Sequence, residues 1–431
     1  MIESLKDRKG ELSRLIGAAK KAGEPIEPLL SEMKTISQQL KMLASEKKAS
    51  ASETTQQVKK SDDAGVELMA VSQLFNEVSC VDEFKYRRIS VRKCSDGDAK
   101  NWNQYVETTI GSCLYHRWEF RDLIHRSFGH NTSYLAAFDE DEKICGILPA
   151  TELNSSLFGH FFVSVPFFNY GGPLANNAEI EKQLIDALIQ EAKQKEVEHV
   201  EIRCAKQRHG LLEKTNKVSM MLALPDNKEI LWKEIGTKVR AQVKKSDRFE
   251  LSIKFGKAEL LDDFYYVFSQ NMRDLGTPVY SKIFFSNLLE SALANEFHLG
   301  VVYKDSKPVS CCFLMGHKDT LEIPWASTLK SANLMNANMF MYWNVLAKAI
   351  NEGYQFFDFG RSSKDAGTFK FKKQWGAKPQ QLYWYYWLAD GDELPELNPN
   401  NPKYKLLIWA WQKMPVWLTR LVGPPIVKFL P

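Results

Sequence analysis

Long hydrophobic runs are missing from this chain. No window of 18 residues is both uncharged and apolar, so no membrane-spanning helix is expected. The opening stretch, residues 1–14, is charged and has no apolar core, which argues against a secretory signal. Paired cysteines are missing as well. The seven present, Cys80, Cys94, Cys113, Cys145, Cys204, Cys311 and Cys312, are odd in number and show no CxxC spacing. That pattern suits a reduced, cytoplasmic chain with buried thiols. Neither sign of charge dominates: the net charge is +4, so any nucleic-acid contact must come from local clusters. The eight histidines include no HExxH, so no metal site is expected. A GxSxG elbow, a P-loop and a GxGxxG fingerprint are all absent.

What is present is a globular composition, 44% hydrophobic and 26% charged. At 431 residues the chain has room for about three units of roughly 150 residues each. Residues 1–48 carry the clearest periodicity. Ile2, Leu5, Lys9, Leu12, Ile16 and Ala19 alternate spacings of three and four, as do Leu29, Met33, Ile36, Leu40 and Leu43. Gly23 and Pro25 stop one helix and start the next, which predicts an antiparallel hairpin, with a dimerising coiled coil as the alternative. Residues 49–82 are small and polar and read as a linker.

The rest repeats itself. Strands are expected at 133–138, 144–153 and 161–165, then a loop through Asn169-Tyr170-Gly171-Gly172-Pro173, a helix at 179–195 and a strand at 199–203. The same order returns as strands at 299–303, 309–315 and 320–325, a loop, a helix through Leu334, Met335, Met339, Leu346 and Ile350, and a strand ending at Gly360. This predicts two α/β domains, 83–225 and 226–400, related by duplication. Loops that follow strands and feed helices are where such folds bind ligands. Here they are the Asn169–Pro173 loop and residues 326–333, which follow Trp325 and include Ser327. Residues 401–431 mix Trp, Leu and Lys, with Pro415 and the Pro424–Pro425 pair expected to break the helix. They read as an interfacial membrane helix or as a helix docked on the domain.

Three segments could carry chemistry. Tyr115–Arg121 joins His116 and Trp118 to basic residues at a helix start and suits an anionic or sugar ligand. Lys238, Arg240, Lys244, Lys245 and Arg248 lie on one expected helix and suit phosphates, including those of tRNA. The third runs from Asp358 to Gly376. It sets Arg361, Ser362 and Lys372 among Phe371 and Trp375, a pattern able to stabilise an oxyanion in a partly dry cleft. Asp274, His298 or a substrate group would take the proton of an attacking amine. No glycine-rich pyrophosphate loop follows Trp325, so the usual coenzyme A signature is lacking.

Phe371-Lys372-x-x-Trp375-Gly376 resembles the FKxxFG signature of FemAB-type peptidyltransferases, with Trp for the usual Phe. The runs at 115–130, 157–174, 272–280, 321–327 and 357–379 resemble the FemAB-related proteins of exopolysaccharide and exosortase (PEP-CTERM) loci. The resemblance covers about residues 85–431 and implies tandem GNAT-like domains. It also implies a transferase, cytoplasmic or peripheral at the inner membrane face, that moves an aminoacyl or acyl group onto an amine of a sugar- or lipid-linked precursor. Peptidoglycan enzymes of this kind also carry a tRNA-binding coiled-coil arm, which residues 1–48 resemble, although there the arm is inserted in the second domain. Carried over residue by residue, Lys372 would donate to the tetrahedral oxyanion, while Arg361 and the Asn169–Gly171 loop would line the cleft. The implied donor is aminoacyl-tRNA or acyl-CoA, with no bound cofactor. An acyl-CoA N-acyltransferase and a non-catalytic assembly module are the rival readings.

Overall fold

The computed structural model describes residues 88–207, 210–389, 394 and 402–430, together with Leu12, Glu32 and Thr35. The chain divides into two units, residues 1–68 and 69–431. Those three isolated positions apart, the expected hairpin and linker lie outside the described residues.

One series of elements occurs twice. The first copy is β1 (Ser90–Lys93), α1 (Ala99–Thr108), α2 (Glu119–Phe128), β2 (Asn131–Phe138), β3 (Ile144–Ser155), β4 (Gly159–Val163), a short β5 (Leu174–Ala175), α3 (Ala178–Gln194) and β6 (His199–Cys204). Then come β7 (Leu212–Lys214), β8 (Lys217–Ala223), α4 (Lys228–Glu234) and α5 (Thr237–Ser246). The second copy is β9 (Ser252–Gly256), α6 (Leu261–Leu275), α7 (Lys282–Leu289), β10 (Phe297–Lys304), β11 (Lys307–His317), β12 (Thr320–Thr328), α8 (Ala337–Asn351) and β13 (Phe356–Ser363). The chain closes with α9 (Gly367–Lys373), β14 (Lys378–Gln381), β15 (Tyr383–Leu388), α10 (Pro402–Lys413) and α11 (Val416–Val427).

Local sequence explains most of these elements. In α3, the Asn177 side chain accepts from the Ile180 amide and caps the first turn, and Ile180, Leu184, Leu188 and Ala192 form its buried stripe. Cys311 and Cys312 alternate across β11: the Cys311 thiol donates to the Phe264 carbonyl on α6, while Cys312 lies against Gly300 of β10. The six described cysteines are buried. Three expectations need correction. Leu334 is exposed in a 3-10 turn, because Asn336 takes a left-handed conformation and α8 starts after it. Strand β13 continues past Gly360 to Ser363, because β8 keeps pairing with it. Pro424 and Pro425 lie inside α11, near its end, so they do not break it. No described helix is long and apolar enough to cross a membrane.

Each copy forms a mixed sheet. An antiparallel meander leads through a helix to a parallel strand, β6 beside β4 and β13 beside β12. The edges of β6 and β13 are then covered by exchange. β15, from the end of the second copy, pairs with β6, and β8, from the end of the first, pairs with β13. The resulting orders are β1-β2-β3-β4-β6-β15-β7 and β14-β8-β13-β12-β11-β10-β9. The expected boundary at residue 225 therefore falls just after a strand that belongs to the second sheet. Exchange of this kind hides two open edges that would otherwise invite aggregation.

A fragment ending at residue 225 would hold β8 without β13 and β6 without β15. Expressed alone, it is expected to aggregate or to show no cooperative transition by calorimetry, whereas a sharp transition would mean that the exchange is dispensable.

Candidate functional site

The parallel ladder between β12 and β13 is short. It joins Thr320, Leu321 and Glu322 to Phe356, Phe357 and Asp358 and goes no further. Beyond it β13 bulges: its register with β8 shifts between Asp358 and Arg361, and Gly360 has φ +74°, a backbone state that glycine reaches without strain. The last paired residues at this divergence are both acids.

Both carboxylates are buried. Glu322 accepts from the Asn169 amide at 2.7 Å and from the Tyr115 hydroxyl. Asp358 accepts from Ser219 Oγ at 2.5 Å, from the Gly360 amide at 2.7 Å and from the Tyr170 hydroxyl at 3.0 Å. Burial raises the proton affinity of each, and the negative charge of Asp358 adds to the effect on Glu322. Two adjacent carboxylates in such a place hold a proton between them more readily than two separate ones.

Lys372, on α9, reaches into this region. Its ammonium donates at 2.9 Å to the carbonyls of Gly360 and Arg361, which uses two of its three donors. Burial lowers its pKa to about 8, against the attraction of Asp358 and Glu322. The guanidinium of Arg361 lies over the Trp384 ring, as does that of Arg203, at 4.9 and 4.4 Å from the centroid. Burial, then Arg203, lowers the Arg361 pKa to about 10, and its Nη1 and the Ser362 hydroxyl are buried without partners.

A pocket of about 200 Å³ opens at the start of β12. Ser112, Cys113, Tyr170, His317, Lys318 and Glu322 are among its walls. Lys318 is pinned there by Ser112 Oγ at 2.8 Å and the Thr109 carbonyl at 3.0 Å. Burial lowers the pKa of His317 to about 3, so the ring is neutral. Glu322 is thus reached from the pocket side, while Trp325 and Ser327 lie further along the same strand, past the divergence.

The structure brings together Asn169, Tyr170, Arg361, Ser362 and Lys372. Gly171 sits in the same loop, and its neighbour Gly172 packs so closely that a Cβ there would lie 2.7 Å from Cys204 Sγ and 3.0 Å from the Arg203 carbonyl. The other candidates are differently employed. His116 Nδ1 accepts from the Cys113 amide at 3.0 Å, so Nε2 carries the proton and donates to the Gly172 carbonyl at 2.8 Å. That ring, whose pKa burial lowers to about 4, fixes the loop and has no nitrogen left for a ligand. Trp118 belongs to the first copy's core, stacked edge-on against Trp102 and Tyr134. Trp325 meets Phe284, Phe285 and Phe313 edge-on, and Phe371 and Trp375 pack on Tyr342. Ser327 Oγ accepts from Asn271 at 3.1 Å. On α5, Arg240 donates to the carbonyls of Trp232, Lys233 and Ile235, closing the end of α4, while Lys238, Lys244, Lys245 and Arg248 are exposed. Neither expected proton acceptor joins the site: Asp274 is bound to Arg273 Nε at 2.6 Å, and His298 sits on β10 near Lys348 and Glu352.

Glu322 has no role in the sequence pattern above, and Tyr115 and Asp358 enter it only as the first residues of two segments, without a role of their own. Their signal was an acid inside an apolar strand, Leu321-Glu322-Ile323 and Phe357-Asp358-Phe359, where burial without a purpose is costly. No group of His, Cys, Asp and Glu among the described residues could hold a metal ion.

Residues 236–373 match the family model of an acetyltransferase (GNAT) domain. No curated protein matches the chain. Among solved structures it is similar to FemX, with a TM-score of 0.54 and 13% identity, over 74% of this chain and 100% of that one. It is also similar, at a TM-score of 0.45 and 9% identity, to a tandem GNAT protein from the clavulanic acid biosynthesis pathway, over 72% of this chain and 100% of that one. The C-terminal domain of a putative lysylphosphatidylglycerol synthetase from Agrobacterium fabrum gives 0.46 and 12%, over 68% and 92%. The fold is α/β, with two GNAT-like units in tandem.

The raised proton affinity of Glu322 has a consequence for stability. A carboxyl whose folded value exceeds its unfolded value destabilises the fold progressively as pH rises between the two. Glu322→Gln removes the charge and keeps the shape, so its Tm advantage over the wild type is expected to grow from pH 5 to pH 8. A constant or shrinking gap would mean that Glu322 is an ordinary, ionised carboxylate.

Proposed function

We propose that this chain transfers an aminoacyl or acyl group onto an amine of a sugar- or lipid-linked precursor of cell-envelope or exopolysaccharide synthesis, where β12 and β13 diverge. The observation that carries the reading is the buried Glu322–Asp358 pair within the field of Lys372, at a strand divergence open to a pocket. An attacking amine must lose a proton as its nitrogen bonds to the donor carbonyl. Glu322, on the pocket wall, takes it when ionised, a form that gains as pH rises toward its raised pKa of about 8. The carbonyl oxygen becomes an oxyanion, and the third N–H of Lys372 donates to it. The tetrahedral intermediate collapses as the carbon–oxygen or carbon–sulfur bond to the carrier breaks, and the proton held by Glu322 passes to the leaving atom. Arg361, with an unpartnered Nη1, binds an anionic part of a substrate.

Aminoacyl-tRNA is the donor in this reading. The turn after β12 is a glycine-free 3-10 segment at 330–335, unlike the glycine-rich loops that cradle a pyrophosphate. Acyl-CoA is the second reading, and the acetyltransferase match over 236–373 is what favours it.

Incubation with aminoacyl-tRNA and, separately, acyl-CoA in the presence of amine acceptors tests both. Lys372→Ala is expected to lower kcat by roughly 10²–10³ and to leave donor affinity nearly unchanged. Because Lys372 acts as the ammonium and Glu322 as the carboxylate, wild-type kcat should pass through a maximum near pH 8, and the variant should keep the rise and lack the fall. Full activity in a folded Lys372→Ala protein would remove Lys372 from the chemistry, and no transfer from either donor by the wild type would favour a non-catalytic assembly module.

A further inference from the structure

The last two helices break the usual rule for a surface helix. α10 and α11 both pack on α6: Arg273 Nη1 donates to the Met414 carbonyl at 3.1 Å, and Arg420 Nε to Ser269 Oγ at 2.9 Å. The inner seam of α11 is Thr419, Gly423 and Val427, all buried, and Gly423 fits so tightly that a Cβ would lie 2.9 Å from the Val279 amide nitrogen. The stripes facing away should be polar. Instead Leu406 and Trp409 are exposed on α10, Trp417 and Leu421 on α11, with Trp409 58% and Trp417 67% exposed. Lys405 and Lys413 stand exposed beside them. Residues 402–430 contain five basic side chains, Lys403, Lys405, Lys413, Arg420 and Lys428, and no acidic one.

We infer that this helical pair docks on an anionic lipid surface. Tryptophan and leucine enter the headgroup boundary, and lysines meet lipid phosphates, a pairing that neither water nor a neutral protein surface rewards as well. A protein partner of the ordinary kind would be expected to meet a patch with charges of both signs at its rim. The surface is also tied to the cleft by one helix: α6 carries the pair on one side, and its Asn271 donates to Ser327 of β12. His130 of the first copy holds the Lys428 carbonyl at 2.6 Å, so the pair is fixed to both copies. The inference rests on the transferase reading in one respect, that it makes the acceptor lipid-linked and presented from the membrane on this face.

Flotation of the full chain with phosphatidylcholine vesicles, with and without phosphatidylglycerol, tests it. Wild type is expected to bind the anionic vesicles at least tenfold more tightly than the neutral ones, with a blue shift of tryptophan emission. Trp409→Ser with Trp417→Ser should reduce binding tenfold or more, and Lys405→Glu with Lys413→Glu should remove the preference for anionic lipid, both with unchanged Tm. Lys372→Ala should bind as the wild type does, so vesicle binding stands or falls apart from the chemistry. Absence of vesicle binding, or binding that survives both double variants, overturns the inference. So does light scattering that shows a dimer dissolved by the tryptophan substitutions, because the patch would then be covered by a second copy.

Discussion

Two carboxylates that face each other across parallel strands in a core cannot both stay charged unless something close offsets them. Burial raises the proton affinity of both Glu322 and Asp358, and the neighbours that fix them come from the whole molecule. Tyr115, Asn169 and Tyr170 are supplied by the first copy, Ser219 by the exchanged strand β8, and the Lys372 ammonium by α9. The Gly360 bulge turns one amide toward Asp358 and one carbonyl toward Lys372. Duplication and strand exchange are therefore conditions for the site as well as for the sheets.

The first copy shows what happens without that arrangement. Its parallel ladder ends at Val163 opposite Glu201, the position that Glu322 and Asp358 occupy in the second. With valine across from it, Glu201 is a lone acid, and Arg203 closes on it at 2.6 Å with the Tyr386 hydroxyl at 2.8 Å. Burial alone would raise its pKa, but Arg203 and Tyr386 hold it below the usual value. At this position one copy has a buried ion pair, and the other has two carboxyls whose proton affinity burial raises.

From the meander to the parallel strand, the elements of each copy were legible because each has a clean period and a marked end, as in the Asn177 cap of α3. The exchange was not. Residues 217–223 and 383–388 are apolar strands in any pairing, and nothing local in Val218 or Tyr385 says which sheet receives it. Lys372 and Arg361 stood out because basic residues among aromatics are conspicuous. Glu322 and Asp358 were concealed inside strands whose apolar neighbours dominate, and their proximity depends on a register between residues 36 apart. His116 misled for the opposite reason: an imidazole beside aromatics suits a ligand, but its two nitrogens serve the backbone of the glycine loop.

The central claim is that the pair keeps a proton at neutral pH. Difference infrared spectroscopy of the wild type and of Glu322→Gln reads it directly. A protonated-carboxyl C=O band at pH 7 that is lost in the variant is expected. Ionised-carboxylate bands alone, the same in both proteins, would contradict it.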